Sequence, residues 1–373
     1  MERFWIACAA VVAVAGCNPK SLRPGYCHTS LDCTIGKTCN PKTLMCWDMD
    51  ASTDTDGGDA RDGGDAKDAE VAPPPRCPQT INCADGGYDG SAGVCAIDAG
   101  VCVECLEDGD CASKPKTPIC EDQLCRACKA DSECKAGPGI CMFHQDGHCA
   151  TDDETIYVKN ATGCSMNGGG TKDMPYCNSQ DGINAVVGAR TLVVMRGPDA
   201  LTEWAVPTAP TAPVTVIGQS NATVSPGARV GIRVSAGSVY VRDLKVSAGS
   251  NIGVIAETGA DLTMDHCTVS NNSKGGIFVD GANFDIKNTT VTGNGPSADL
   301  TWGGIRVQTP LGTGNAKLKL LTVQMNSPSG VSCTGPISGD GVSATQNVSG
   351  DVSMTCGFMS CGAPAPPTCG APQ

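Results

Sequence analysis

The sequence predicts an all-β protein in which a parallel β-helix follows several small disulfide-rich modules. Three observations support this: short apolar strings recur every 22 to 28 residues in the C-terminal part, cysteines recur in sets of four, and turn-forming residues abound. Of 373 residues, 25 are cysteine, 47 glycine and 24 proline. This composition excludes a coiled coil, a helical bundle and a polytopic membrane protein.

The N-terminus indicates export. A charged start is followed by the apolar run FWIACAAVVAVAG, which ends in Val14-Ala15-Gly16-Cys17 and is too short for a permanent membrane span. The ending resembles the lipobox of bacterial lipoproteins. That resemblance implies a signal peptide over residues 1–16, palmitate-type lipidation of Cys17 and attachment of the protein to a membrane through this lipid anchor. Asn18 stands where the inner-membrane retention signal would have aspartate, which favours the outer membrane. An ordinary secretory signal that contains a cysteine is the alternative.

The acidic residues are concentrated in one segment. The chain has 26 Lys and Arg against 39 Asp and Glu, a net charge of −13. Nine acids and two bases give residues 48–70 a charge of −7. With almost no apolar residues to bury, residues 48–76 are predicted to be a disordered linker. Because an acidic chain repels phosphate backbones, we expect no nucleic-acid partner.

Four cysteine modules share the spacing C-x5-C between their first two cysteines. One module occupies residues 17–47 and three tandem modules occupy residues 77–150. An acid precedes the second cysteine in three copies, as Asp32, Asp110 and Glu133. Such small units depend on disulfides, whose connectivity within each module is left open by the sequence. The pattern resembles the cysteine-rich modules of surface lipoproteins in fruiting soil bacteria. The sixteen cysteines are Cys27, Cys33, Cys39, Cys46, Cys77, Cys83, Cys95, Cys102, Cys105, Cys111, Cys120, Cys125, Cys128, Cys134, Cys141 and Cys149.

A zinc ribbon competes with the disulfide interpretation. Two CxxC pairs have ribbon-like spacing, and His144 and His148 lie nearby. Export to an oxidising compartment and the interruption by Cys111 and Cys120 favour disulfides. We therefore expect no metal or cofactor, and we expect both histidines to be exposed loop residues. The CxxC pairs are Cys102/Cys105 and Cys125/Cys128.

Beyond residue 150 the sequence repeats with the period of one solenoid coil. Two apolar columns and one asparagine column recur in successive copies, which predicts coils that stack their apolar residues inward. A β-sandwich, the alternative fold, would not produce columns at this spacing. The columns are Val241, Met264, Ile286 and Leu318; Val246, Val269, Val291 and Val323; and Asn272, Asn294 and Asn326.

These repeats resemble the right-handed parallel β-helix of the pectin-lyase-like superfamily, over about residues 151–373. The resemblance implies a short helix from Ser179 to Ala189 that caps the first coil. It also implies disulfides that hold this cap and close the last coil. The cysteines concerned are Cys164 with Cys177, Cys333 with Cys356, and Cys361 with Cys369.

Enzymes of this superfamily use converging carboxylates, or carboxylates with an Arg or Lys base, on the outside of the coil. The outward column here has one acid among three bases, and we predict a solvated charge ladder. Because neighbours on a strand point to opposite faces, Asp265 and His266 are not expected to form a dyad. Few aromatic residues are available to stack on sugars, and those expected to be exposed are Tyr240, Phe278, Trp204 and Trp302. The candidate ligand face is Tyr240, Arg242, Asp265, Phe278, Lys287, Arg306 and Lys319.

The cysteine count is odd in the mature chain. Removal of Cys8 with the signal and use of Cys17 for lipid leave 23 of the 25 cysteines. The modules take sixteen and the three further pairs take six, so Cys267 remains. Its position two residues before the inward valine Val269 predicts a buried free thiol.

Together these features predict a lipid-anchored protein of the bacterial surface. Its β-helix is expected to have a non-catalytic structural, adhesive or glycan-binding role, with a polysaccharide or another surface protein as partner. The alternative is a polysaccharide lyase or glycoside hydrolase that acts on the face of the β-helix.

Overall fold

A computed structural model describes residues 37–39, 46–48, 94–96 and 101–361, apart from 162–163, 166–168, 199, 211 and 297–300. The chain divides into two units, Met1–Pro74 and Pro75–Gln373. No helix among these described residues has the length and apolarity needed to span a bilayer. The signal peptide, Cys17 and nearly all of the acidic linker lie outside the described residues, as do Cys27, Cys33, Cys77, Cys83 and Cys369.

Every cysteine module has the same antiparallel pairing of its third and fourth cysteines. The first unit has the hairpin β1 (Lys37–Cys39) and β2 (Cys46–Asp48), with Cys39 opposite Cys46. In the second unit the corresponding hairpins are β3 (Val94–Ala96) with β4 (Val101–Val103) and β5 (Ile119–Glu121) with β6 (Leu124–Arg126). A single bridge between Cys141 and Cys149 takes this place in the fourth module.

The structure resolves the connectivity that the spacing left open. In the third and fourth modules, the first cysteine bonds to the third and the second to the fourth. The acid before the second cysteine has a local role: Asp110 accepts a hydrogen bond from the Leu106 N–H at 2.8 Å, and Glu133 accepts one from the Lys129 N–H at 2.7 Å. Each acid thereby fixes the loop that begins its module. The bonds are Cys105–Cys120, Cys111–Cys125, Cys128–Cys141 and Cys134–Cys149.

After the modules, three parallel sheets wind into a β-helix. Within the described residues there are seven three-stranded coils, and β7 adds an eighth strand to sheet A. Sheet A contains β7 (Thr155–Val158), β8 (Leu192–Arg196), β11 (Val214–Gln219), β14 (Gly237–Arg242), β17 (Ala260–Asp265), β20 (Asn283–Lys287), β23 (Ala316–Lys319) and β26 (Ser338–Asp340). Sheet B contains β9 (Ala200–Leu201), β12 (Thr223–Val224), β15 (Lys245–Ser247), β18 (Thr268–Ser270), β21 (Thr290–Thr292), β24 (Thr322–Gln324) and β27 (Ser343–Thr345). Sheet C contains β10 (Trp204–Val206), β13 (Ile232–Val234), β16 (Val254–Ala256), β19 (Ile277–Asp280), β22 (Ile305–Gln308), β25 (Ser329–Cys333) and β28 (Gly350–Val352).

The predicted columns are the register of these sheets. Val241 pairs with Met264 in sheet A, and Val246 pairs with Val269 in sheet B. Their side chains fill one continuous apolar core that runs through the coils. The parallel β-helix predicted from the repeats is confirmed.

In the last five coils, the two bends on either side of sheet B both contain left-handed backbone. Between sheets A and B, each of these five coils has one residue with positive φ, for example His266 at 51° and Leu320 at 51°. Asparagine and aspartate tolerate this conformation better than leucine does.

A ladder of buried asparagines follows the second bend. Asn294 accepts hydrogen bonds from the backbone and side-chain N–H groups of Asn272, both at 3.0 Å, and donates to Asn326 at 3.0 Å. The ladder has a fourth rung, Asn347, which the sequence repeats did not reveal because Ala344 replaces the valine of the preceding strand. Each rung satisfies backbone groups that the bend leaves without strand partners.

A short helix, α1 (Ser179–Asn184), caps the first coil. It ends earlier than the expected Ala189, because Val187 and Arg190 pair in a tight turn around Gly188, whose φ is +60°. Asn178 caps its first turn by accepting the Gln180 N–H at 2.8 Å. The disulfide Cys164–Cys177 lies just before this helix.

Side chains take the place of a missing strand at both ends of the solenoid. Gln180 accepts the Ala205 N–H at 2.7 Å and donates to the Ala205 carbonyl at 3.0 Å, which closes the edge of sheet C. The Ser360 hydroxyl accepts the Ala344 N–H at 2.9 Å and donates to the Ala344 carbonyl at 2.7 Å, which closes the edge of sheet B. Cys333–Cys356 ties the last coil, and Cys361 is also disulfide-bonded.

Candidate functional site

The outward column of sheet A has the register that the repeats predicted. Arg242 pairs with Asp265, Asp265 with Lys287, and Lys287 with Lys319. Adjacent members are separated by the strand spacing of about 4.8 Å. The column does not, however, face solvent along its whole length.

The fourth cysteine module covers the N-terminal part of sheet A. Three apolar residues of the module, Ile140, Met142 and Ala150, pack against five outward side chains of the sheet. The contact is a closed apolar cluster separate from the core inside the coils. The sheet residues are Tyr157, Leu192, Val194, Ile217 and Tyr240.

Arg242 joins this module to the β-helix through charge. Its Nη2 lies 2.8 and 2.7 Å from the two carboxylate oxygens of Asp131, and its Nε lies 3.2 Å from Asp243. The guanidinium also lies over the Phe143 ring, 4.8 Å from its centroid. Arg242 is 4% exposed, so the prediction of a solvated ladder is wrong at this position.

The carboxylate of Asp131 repeats a contact that the third module also makes. Asp108 and Asp131 occupy the same position, three residues after the first cysteine, and each accepts the backbone N–H of the third cysteine at 2.9 Å. Asp108 then contacts Lys135 of the next module at 3.4 Å, as Asp131 contacts Arg242. The third module is thus linked by one carboxylate to a cation of the fourth module, and the fourth module by one carboxylate to a cation of the β-helix.

His144 docks the module against Tyr240. The two rings are stacked, with centroids 3.9 Å apart and planes within 3°, and His144 Nε2 lies 2.8 Å from the Thr215 hydroxyl. Burial and the nearby charges of Arg242, His148 and Lys287 lower the pKa of His144 to about 4. Burial is the main cause of the raised pKa of Tyr240, whose hydroxyl faces Asp265. The expectation that His144 is an exposed loop residue is wrong, because the stack covers its ring. The same expectation is wrong for His148, which lies between Asp146 and Glu154 with only 16% of its side chain exposed.

Asp265 is the centre of a polar cluster beside the docked module. It is 3% exposed and accepts hydrogen bonds from Asn288 at 2.7 Å and from the Tyr240 hydroxyl at 3.3 Å. Lys287 Nζ lies 3.6 Å away. Burial alone would raise the pKa of Asp265, but the Asn288 hydrogen bond and the charges of Lys287 and His266 hold it below its usual value.

His266 contacts Asp265, contrary to the expectation from strand alternation. Its Nδ1 lies 2.8 Å from an Asp265 oxygen, while 61% of its side chain is exposed. The alternation rule fails because His266 has left the strand and adopts positive φ at the bend. The result is an exposed imidazole oriented by a buried carboxylate.

The two remaining members of the column are more exposed. The side chains of Lys287 and Lys319 are about one-third and two-fifths exposed, and Lys319 lies 3.9 Å from Asp285. The solvated ladder therefore describes only the C-terminal part of the column.

The candidate ligand face divides between two sheets. Phe278 and Arg306 are neighbours in sheet C, whereas the other five residues belong to sheet A. Phe278 stacks on Trp302 at 5.8 Å. The expectation of exposed aromatic rings is wrong for Tyr240, Trp204 and Trp302, which are buried: Trp204 points into the coil, and Trp302 packs against Gly275 and Phe278. Phe278 is partly exposed.

A shallow cleft of about 370 Å³ lies at the N-terminal end of sheet C. Arg233 lines it and pairs with Glu257 at 2.8 Å. Arg229, which also lines it, pairs with Glu203 at 3.5 Å. The charged groups of this cleft are therefore largely paired with one another.

Within the part of the chain that the structure describes, the sulfurs that lie close enough together to form a zinc site are held in disulfides. Two groups of three cysteines have sulfur atoms within 4.8 Å of one another, but every one of these sulfurs belongs to a bond within its own module. Neutral disulfide sulfurs are not zinc ligands, since zinc binds thiolates. The groups are Cys105, Cys111 and Cys125, and Cys128, Cys134 and Cys149.

Cys267 is a free cysteine, 2% exposed, inside the coil. Burial raises the pKa of its thiol to about 12. Its sulfur lies 3.4 Å from the Asp265 carbonyl, to which it can donate a weak hydrogen bond. A protonated, buried thiol reacts slowly.

Comparison with known protein families shows a similarity over part of the chain. Residues 230–353 match the family described as right handed beta helix region. No curated protein and no solved structure matches the chain. The matched range runs from the strand β13 to the last coil, and the predicted fold class, a right-handed parallel β-helix preceded by disulfide-rich modules, is confirmed.

Proposed function

We propose that this chain is a lipid-anchored bacterial surface protein whose β-helix is a non-catalytic scaffold for contact with a polysaccharide or another surface protein. One observation carries the non-catalytic part. Arg242 and Asp265, the base and acid at the centre of the candidate face, are both buried: Arg242 is held by Asp131 of the fourth module, and Asp265 accepts hydrogen bonds from Tyr240 and Asn288 of the β-helix. General acid–base chemistry needs such groups to reach a substrate.

An assay of polysaccharide cleavage tests this proposal. The intact mature chain is incubated with pectate and related uronans while unsaturated uronate products and new reducing ends are measured. We expect no turnover. Turnover that disappears in Asp265→Asn would contradict the non-catalytic scaffold, and Lys319→Gln, at the exposed end of the same column, is the matched control.

The alternative function, a polysaccharide lyase or glycoside hydrolase, is favoured by one specific feature. His266 is exposed and is oriented by the buried Asp265 at 2.8 Å, an arrangement that suits a general base. If this alternative holds, His266→Gln abolishes turnover and leaves the fold intact.

A glycan array distinguishes the two candidate faces. The intact chain is compared with Lys287→Ala on sheet A and Arg306→Ala on sheet C. Loss of binding in only the first variant assigns the contact to sheet A, and loss in only the second assigns it to sheet C. An array without any signal would favour a protein partner.

The anchor is tested separately. The sequence Val14-Ala15-Gly16-Cys17 leads us to expect incorporation of radiolabelled palmitate into the wild-type chain but not into Cys17→Ala. Cys8→Ala, within the segment that is removed, is the matched control and should be labelled normally. Equal labelling of Cys17→Ala would reject the lipoprotein, while an outer-membrane fraction that contains the labelled chain would support the proposed location.

A further inference from the structure

We propose that the fourth module is an acid-sensitive lid on sheet A, with His144 as its sensor: the lid is closed at neutral pH and opens locally in mild acid. This inference does not depend on the anchor or on the nature of the ligand. It follows from how the module is held, what surrounds His144, and what the module covers.

The contact between lid and sheet combines a few polar links with one apolar cluster. The polar links are the Asp131–Arg242 ion pair, the His144–Thr215 contact, a hydrogen bond from Gln145 to the Thr215 hydroxyl at 3.3 Å and one from Gln219 to the Pro138 carbonyl at 3.3 Å. The module itself is closed by its own disulfides. It can therefore separate from the sheet without unfolding.

His144 has a hydrogen-bond partner for one ring nitrogen but not for the other. Nε2 contacts the Thr215 hydroxyl, whereas Nδ1 is buried and has no hydrogen-bond partner. The neutral ring carries one proton, and the charged ring carries two. Protonation in the closed state would therefore bury a charged N–H without an acceptor, which is costly.

The charged groups around His144 oppose a second proton. Arg242 on β14, Lys287 on β20 and His148 within the module all disfavour the imidazolium. The nearby carboxylates are already occupied, since Asp131 contacts Arg242 and Asp265 contacts Lys287. Opening of the lid would hydrate the ring and remove it from Arg242 and Lys287, the two cations that belong to sheet A.

The sign of the pH dependence follows from linkage. Because the pKa of His144 falls from 6.5 to about 4 in the closed state, the open state binds the proton more tightly. The stabilisation of the closed lid is complete above about pH 6.5 and is lost as the pH falls toward 4. After a discount for solvent screening, the opening equilibrium should increase on the order of tenfold by about pH 5.

Opening would expose an apolar surface that neutral conditions hide. The covered face contains two tyrosines and three aliphatic side chains on adjacent rungs of sheet A. A contiguous apolar patch of this kind is typical of a binding surface. Acid would thus bring this covered face into contact with water.

Methionine oxidation in the intact chain tests the lid. Met142 lies in the contact and is 2% exposed, while Met354 is 97% exposed and serves as an internal reference. Peroxide oxidation of both is followed by peptide mapping from pH 7.5 to 4.5. We expect the Met142 rate, relative to Met354, to increase about tenfold, while Met264 inside the coil stays protected.

Two histidine variants show whether His144 is the sensor. His144→Phe keeps an aromatic ring on Tyr240 but cannot be protonated, so its Met142 rate should not change with pH. His148→Gln, the matched control in the same module, should retain the increase. A wild-type rate that does not change with pH, or an equal increase in His144→Phe, would overturn the proposal.

A measurement on the wild-type chain covers the case in which His144→Phe does not fold. The ring protons of His144 are titrated by NMR. We expect a midpoint well below 6.5 that coincides with the rise in Met142 oxidation. A midpoint near 6.5, or one unrelated to Met142 oxidation, would show that His144 does not control the lid.

Discussion

The Asp131–Arg242 ion pair should make a measurable contribution to closure of the fourth module. The perturbations are Arg242→Leu, Asp131→Asn and the double variant. The side chain of Arg242 is 5% exposed, whereas that of Asp131 is 40% exposed. Loss of Arg242 therefore leaves a carboxylate that water can solvate again, and the cost should be below the roughly 3–5 kcal/mol expected when a fully buried pair is broken.

The magnitude follows from the contacts that each variant loses. Arg242→Leu removes two N–H to oxygen contacts and the contact with the Phe143 ring, for an expected loss of about 2 kcal/mol. Asp131→Asn keeps an oxygen that can accept the Cys141 N–H but removes the charge, for about 1 kcal/mol.

The assay is the oxidation rate of Met142 relative to the exposed Met354, measured at pH 7.5. Because about 1.4 kcal/mol corresponds to a tenfold change in an equilibrium, Arg242→Leu should accelerate oxidation of Met142 some tens of times. The double variant should hardly exceed Arg242→Leu, since the second change removes a partner already lost. Fully additive effects, or an unchanged rate in Arg242→Leu, would refute the assigned role of this pair.

Three further predictions concern the β-helix. Maleimide should label no thiol of the β-helix in the native chain and should label Cys267 after unfolding without reductant; peptide mapping that places the label elsewhere would contradict the pairing scheme. Asn294→Ala should lower the free energy of unfolding by about 3 kcal/mol, because several buried groups lose partners, and Asn347→Ala by about 1 kcal/mol because that rung is half-buried; equal losses in urea unfolding would contradict the ladder's energetics. Leu320→Asn should raise the midpoint of thermal unfolding, since it relieves about 1 kcal/mol at a left-handed position, and a lowered midpoint would count against this strain.

The β-helix could be predicted because its information is local and repeated. Every coil places apolar residues at the same points, so aligned columns such as Val246 and Val269 reveal the register without any structure. Cys267 was identified in the same way, from a column and a count. The rung formed by Asn347 was not predicted, because Ala344 stands where the preceding coils have valine and the repeat is therefore harder to recognise.

The burial of the candidate site could not be predicted because it depends on contacts between distant segments. Asp131 and Arg242 are 111 residues apart in sequence and belong to different repeats. Neither repeat contains a sequence feature that predicts its contact with the other. His144 likewise has the sequence context of a polar loop residue, and only the structure shows that its ring stacks on Tyr240.

The contact between Asp265 and His266 shows a limit of a local rule. Alternation along a strand holds only while the backbone remains extended. Histidine, like aspartate and asparagine, is enriched among non-glycine residues with positive φ, so His266 is compatible with a strand that ends at Asp265. The aligned residues Asp243 and Asn288, which tolerate that conformation, are the signal that identifies the bend.

The side chains that take the place of a missing strand at the two ends of the β-helix limit its length. Gln180 and Ser360 each supply both a donor and an acceptor to one exposed edge, so those edges have fewer free groups with which to recruit another strand. Growth by stacking of one solenoid on another is thereby discouraged. An extra coil inserted between two interior coils would leave both ends unchanged and lengthen the β-helix by about 4.8 Å. Duplication of an interior coil can therefore change the length of the β-helix while the covered face and both ends of the β-helix are preserved.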